Sequence, residues 1–208
     1  MYTMKLMDLK LTDYLEILKS DAPAPGGGSV SALAGAQGIA LLIMVNELTL
    51  GREKYSGFQE ANAVAKEKAQ VLLKAFIQLV DEDTDAYNMV ADAYKMPKET
   101  EDEKKKRADA IQEGTIKSTE VPLSVMKAAL EGLEIISGLK GKTNPSAMSD
   151  LGVAALNLLT CLRGAWLNVK INLPGIKDVD KAKAYEETGQ KIHERAESLS
   201  DLILKTCM

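Results

Sequence analysis

Apolar residues recur three or four positions apart along nearly the whole chain, and no stretch alternates convincingly between apolar and polar side chains. That spacing lines one face of a helix, whereas a half-buried strand needs a period of two. The chain is therefore restricted to an all-α fold. Aromatic residues, which strands favour, make up only 4% of it.

The pattern predicts a short helix starting near Thr12, with Leu11, Leu15 and Leu18 on one side. A second runs from about Ser29 to Leu50 with Val30, Leu33, Leu41, Met44, Val45 and Leu48 as its apolar positions, and Gly51 stops it. A third spans about Gln59 to Tyr94, its stripe marked by Leu72, Ala75, Leu79, Ala86, Val90 and Ala93, and Pro97 ends it. Thr100 and Glu103 have capping-box spacing and open a fourth, which Pro122 should kink or divide. Ser137–Ser146 is the clearest internal loop; helices follow over about Ala147–Asn172, ended by Pro174–Gly175, and about Val179–Thr206. Linkers are short and no repeat or low-complexity segment appears, so residues 1–208 read as one antiparallel bundle of long helices.

With 208 residues, 46% of them hydrophobic, the chain can build one real core. Its 26 basic and 30 acidic residues leave a net charge of −4, which argues against a nucleic-acid partner. The basic cluster Lys104–Arg107 follows an acidic run and reads as a solvated helix face. Cys161, Cys207 and the single His193 supply neither a disulfide framework nor a metal centre; Cys161 reads as a small core residue and His193 receives no role. The N-terminal "MYTMKLMDLK" lacks the apolar core of a leader, and no apolar run is taken to approach the ~20 residues that span a bilayer. The expected setting is cytoplasmic, with no membrane partner.

Ala32, Ala36 and Ala40, with Gly35 and Gly38 beside them, form a small-residue face; Ala154, Ala155, Gly164 and Ala165 offer another. Such faces admit close helix approach within the bundle or between subunits. A helix small on one side and apolar on the other has little face left for water, so a homo-oligomer is expected.

Three stretches carry polar chemistry. "PAPGGGS" places Gly26, Gly27 and Gly28 at a helix mouth, with Ser29 a natural N-cap. A helix N-terminus has unpaired N–H groups able to receive an anion or a carbonyl. The segment is either a tight turn or a place where a ligand or another backbone comes close. In "DEDTDAYN", Asp83 lies four after Leu79, three before Ala86 and seven before Val90, on the apolar stripe itself. A carboxylate there is costly unless paired or protonated, and desolvation raises its pKa toward the range of a general acid or base. The alternative is a structural carboxylate bonded to a helix N-terminus or a basic side chain. Finally Asp150, Asn157, Cys161, Gly164, Asn168 and Asn172 run along one line of the fifth long segment. Its amides can read the edge of a heterocycle or bond across a helix interface, and Asp150 equally suits a first-turn position on the helix dipole. Lys54 and Lys98 lie near helix ends, as solvated charges or anion contacts.

Taken in order, "PAPGGGSVSALAGA", "LTLGREKY", "DEDTDAY", "MPKET", "VPL" and "SDLGVAA…GAWLNVKINL" resemble the formiminotransferase-cyclodeaminase family, which includes stand-alone methenyltetrahydrofolate cyclohydrolases. The set covers most of the chain. "KTNPSAMSD" departs from it: Ser146 stands where the family usually has an Asn. The resemblance implies an all-helical homodimer that binds tetrahydrofolate derivatives at the subunit interface, without metal or further cofactor. It also implies a catalytic carboxylate at the Asp of Asp-x-x-Ala-aromatic, here Asp83. On that reading Gly26–Ser29 approach the folate, Asp150, Asn168 and Asn172 orient ring edges, and Lys54 or Lys98 meets the glutamate tail. The competing expectation is a non-catalytic helical homodimer that scaffolds other subunits.

Overall fold

The computed structural model describes residues 5–207; residues 1–4, the start of the stretch read as lacking a leader, and residue 208 lie outside it. Six α-helices carry the fold: α1 (Leu11–Leu18), α2 (Gly27–Thr49), α3 (Gln59–Lys95), α4 (Glu101–Gly138), α5 (Met148–Asn172) and α6 (Val179–Cys207). Helices α2 to α5 close into an antiparallel four-helix ring, each packed on two neighbours, and α6 lies in the groove between α4 and α5. The core between them includes Ile39, Leu42, Phe76, Met126, Leu133 and Leu158, all inaccessible to solvent. The starts of α2 and α4 and the ends of α3 and α5 thus share one end of the bundle.

The punctuation follows local chemistry. Gly51, at φ +69°, ends α2 in the left-handed region that glycine tolerates. Thr100 and Glu103 form a reciprocal capping box: Glu103 N–H donates to Thr100 Oγ1 at 3.2 Å, and Thr100 N–H to Glu103 Oε2 at 2.9 Å. The small faces of α2 and α5 meet inside the chain. A Cβ on Gly38 would stand 2.9 Å from the Ala154 carbonyl, and one on Gly164 would stand 2.3 Å from Ser31 Oγ. Cys161 is fully buried, which pushes its thiol pKa up, as suits an inert core residue.

Helix α1 starts at Leu11, within one residue of the expected position, and it buries Tyr14 while Leu11 and Leu15 stay 63% and 49% exposed. Three expectations need correction. On α2 the buried stripe is Ala32, Ala36, Ile39, Leu42 and Val45; Val30, Met44 and Leu48 face outward, because the small residues pack against α3 and α5. Helix α4 runs through Pro122 undivided, and the carbonyl that proline leaves without an N–H is met by another donor. Finally, Gly27–Thr49 and Pro145–Gly175 are long and apolar enough to cross a membrane by length and composition. Their alanines, glycines and serines interrupt the run of large apolar residues without making the helices polar, and half or more of each apolar window is buried in the bundle.

Candidate active site

The site forms where the start of α2 meets the middle of α3. Gly26, in extended backbone, precedes α2 and makes no side-chain cap. The first turn of any helix has orphan N–H groups, and here one is met from across the bundle. Ser29 N–H donates to Asp83 Oδ2 at 2.9 Å. Ser29 Oγ lies 2.9 Å from the Val80 carbonyl and 3.2 Å from Asp83 Oδ2, so its one proton serves either. Ser29 is therefore not the N-cap; it sits inside the first turn as the donor that holds the carboxylate.

Gly28 explains the glycine run. A Cβ there would fall 1.9 Å from Asp83 Oδ1 and 2.4 Å from its Cγ, so only a residue without a side chain lets the acid reach the helix mouth. Gly27 is less constrained, with Asn168 at 3.7 Å, and Gly26 faces open space. Asp83 Oδ1 accepts no hydrogen bond among the described residues. Burial raises the Asp83 pKa above its ordinary value, and the two Ser29 bonds only partly offset that. The buried Tyr14 phenol is held above its ordinary pKa by burial and then by the Asp83 charge; its hydroxyl has no partner among the described residues.

Asp83 opens onto a cleft of about 370 Å³ lined by Gly26–Gly28, Tyr87 and Val90 from α3, Ser118 from α4, and Asn168, Ile171 and Asn172 from α5. That volume suits a small ligand or one ring system of a larger one. Asn168 Nδ2 donates to the Gly164 carbonyl at 2.9 Å and Asn172 Nδ2 to the Ser118 carbonyl at 2.7 Å. Each amide is anchored by its nitrogen, which leaves its oxygen without a protein donor among the described residues. The cleft thus joins three acceptor oxygens to an apolar wall of Tyr87, Val90 and Ile171. Among the described residues no three His, Cys, Asp or Glu lie close enough to hold a metal.

Residues 10–191 match the family model described as Formiminotransferase-cyclodeaminase. The chain belongs to the formiminotransferase-cyclodeaminase family. It is 38% identical over 165 residues to a methenyltetrahydrofolate cyclohydrolase of Methylorubrum extorquens, covering 79% of each chain. It is 33% identical over 200 residues to the formimidoyltransferase-cyclodeaminase of Mus musculus, covering 96% of this chain but 37% of that protein. Its fold is that of the crystal structure of formiminotetrahydrofolate cyclodeaminase from Thermotoga maritima, with a TM-score of 0.87 at 23% identity over 97% of this chain and 96% of that one.

Within this member of the formiminotransferase-cyclodeaminase family, the candidate residues separate into two groups. Gly26, Gly27, Gly28, Asp83, Asn168 and Asn172 line one cleft, and Ser29 backs it. Lys54, Lys98 and Asp150 do not line it. Lys54 follows α2 at the far end of the bundle, with its ammonium 5.5 Å from the Tyr55 ring. Asp150, in the first turn of α5, stands about 27 Å from Asn168 along the helix axis. Lys98 is exposed in the α3–α4 connection, past the end of α3, which runs about 18 Å beyond Asp83. The loop with Ser146 is also at the far end: Asn144 N–H donates to Thr49 Oγ1 at 3.0 Å and Ser146 N–H to Asn144 Oδ1 at 3.0 Å. Asn157 Nδ2 bonds its own helix, at the Val153 carbonyl, rather than a neighbouring one. Sequence reasoning missed Tyr14, Tyr87 and Ser118. Tyr14 lies three after Leu11 and four before Leu18, and Ser118 lies four before Pro122; both spacings were legible signals.

Proposed function

We propose that this chain is a folate one-carbon enzyme acting at the N5/N10 unit of tetrahydrofolate, as a methenyltetrahydrofolate cyclohydrolase, a formimidoyltetrahydrofolate cyclodeaminase or both. The observation that carries the reading is Asp83: a desolvated carboxylate with one oxygen held by Ser29 and the other turned to an acceptor-lined cleft. In the cyclohydrolase reaction water adds to the cationic methenyl carbon of 5,10-methenyl-tetrahydrofolate. The bond from that carbon to N5 then breaks, giving 10-formyl-tetrahydrofolate and a released proton. Asp83 Oδ1 takes the proton of the attacking water and returns one to N5, and its charge stabilises the cation. In cyclodeamination N10 attacks the N5-formimino carbon and ammonia leaves, with the same carboxylate moving the proton. Asn168 and Asn172 oxygens accept from the N–H edge of the pterin, against the Tyr87 wall. In this reading the folate is substrate and no further cofactor takes part.

The enzyme is a homodimer in this reading. Val30, Met44 and Leu48 on α2 and Leu156, Leu167 and Ile171 on α5 are each more than a third exposed and, by helical register, mark an outward apolar stripe on each of these two packed helices. A two-fold axis perpendicular to these helices pairs opposite ends of the two copies. It carries Lys54 and Asp150 of one protomer toward the Asp83 cleft of the other, so that their role is exercised across the interface.

The test is the absorbance of 5,10-methenyl-tetrahydrofolate. Accelerated loss of its chromophore identifies the cyclohydrolase, and its appearance from the formimino substrate the cyclodeaminase. Asp83→Asn should abolish turnover while the protein still folds and binds folate; retained turnover refutes the assignment, and inactivity of the parent toward both substrates returns the chain to a scaffold.

A further inference from the structure

Pro122 lies in the interior of α4, buried, where a proline is costly because it has no N–H and crowds the preceding turn. The carbonyl it leaves without an intrahelical donor is that of the residue four before it, Ser118. That oxygen is the acceptor of Asn172 Nδ2, at 2.7 Å, and Asn172 is the last residue of α5. Ser118 is tied on its other side as well: its Oγ donates to the Ala86 carbonyl on α3, one turn beyond Asp83, at 3.2 Å. Ser118 and Asn172 both line the Asp83 cleft. A helix-breaking residue, a freed carbonyl and an anchored amide therefore form one chain of contacts ending at the site.

We propose that Pro122 is a positioning residue of the active site, which reserves the Ser118 carbonyl for Asn172 and so fixes that amide with its oxygen turned to the substrate. This rests on the reading of the cleft as the folate site. Alanine at 122 supplies the missing N–H, the carbonyl returns to the α4 ladder, and the Asn172 amide loses its anchor. A proline that served stability alone would lower the midpoint when replaced and leave KM unchanged, whereas a positioning proline raises KM while the midpoint holds or rises, because relieving an interior proline favours the helix.

The experiment compares parent, Pro122→Ala, Asn172→Ala and the double variant by thermal midpoint and by KM and kcat for 5,10-methenyl-tetrahydrofolate. Pro122→Ala should keep or raise the midpoint and raise KM by about 2- to 12-fold, the worth of one positioned hydrogen bond, with a smaller change in kcat. The double variant should be no worse than Asn172→Ala alone, since both act through one amide. A parental KM in Pro122→Ala, or fully additive losses in the double variant, overturns the proposal. Should Pro122→Ala not fold, Asn172→Asp tests the same link with Pro122 in place. It removes the donor and sets a carboxylate against the bare carbonyl, so both a lower midpoint and a higher KM are expected, and parental values for both overturn it. A parent that neither binds nor turns over the folate sinks the site reading itself; an active parent with a parental Pro122→Ala sinks only this inference.

Discussion

Replacing Gly28 with alanine tests how the site is built. In a helix this change is ordinarily favourable by up to ~1 kcal/mol, because glycine loses more backbone freedom. Here the new methyl would lie 1.9 Å from Asp83 Oδ1, 2.4 Å from Cγ and 2.6 Å from Oδ2, where ordinary contact begins at 3.4 Å. The carboxylate must retreat by about 1.5 Å or the first turn of α2 must lift. Either movement breaks the 2.9 Å bond from Ser29 N–H and the 3.2 Å contact with Ser29 Oγ. A hydrogen bond to a charged group contributes about 1.5–3 kcal/mol, and the Ser29 hydroxyl keeps the Val80 carbonyl as its acceptor, so losing the N–H bond outweighs the propensity gain by about 0.5–2 kcal/mol. That lowers the thermal midpoint by roughly 1–8 °C for a chain of this size. Displacing the reacting oxygen by more than about 1 Å should cost about 10²-fold in turnover. The assays are differential scanning calorimetry and the methenyl chromophore. Gly26→Ala is the stability control: among the described residues nothing lies within 4 Å of its Cβ, and its φ is −128°, so its midpoint should match the parent. A Gly28→Ala protein with parental midpoint and parental turnover would refute the reasoning.

Two further outcomes follow from the same geometry. Between the ordinary carboxylate pKa of 3.8 and the raised value of folded Asp83, the native state holds a proton that the unfolded state has lost; stability therefore falls as pH rises through that window. Asp83→Asn should gain in thermal midpoint over the parent at neutral pH, and the gain should shrink toward acid; a difference constant from about pH 4 to about pH 7 contradicts the desolvated acid. Leu167→Glu, on the outward face of α5, should convert a homodimer into monomers in sedimentation velocity, and a parent that already sediments as a monomer contradicts the paired arrangement.

Much of the fold was legible because its signals are local. The Thr100–Glu103 capping box, the Gly51 stop and the end of α3 before Pro97 each depend on a few neighbouring residues, and all stand as read. Where the reading slipped, a distant partner had intervened. The buried face of α2 was taken to follow its large residues, but Phe76 and Ala154 press on its glycines and turn the large residues outward. Pro122 was expected to kink or divide its helix; the helix is not divided there, and Asn172, 50 positions away, meets the carbonyl that proline leaves bare.

The Asp83 site shows the same boundary. Helical register is a property of the chain alone, and it placed one acid among apolar neighbours, which sufficed to mark that acid as desolvated. Register says which face a residue occupies but not what stands opposite. The partner of Asp83 is 54 residues away, and that it is Ser29 across the Gly28 gap, with Asn168 and Asn172 beside it, follows from how antiparallel helices pair at one end of the bundle. Lys54 and Asp150 share the family's sequence pattern and lie at the opposite end, because a helix converts about twenty intervening residues into some 30 Å of rigid separation. Local periodicity determined the helices and the acid; only the packing of their ends decided which residues meet it.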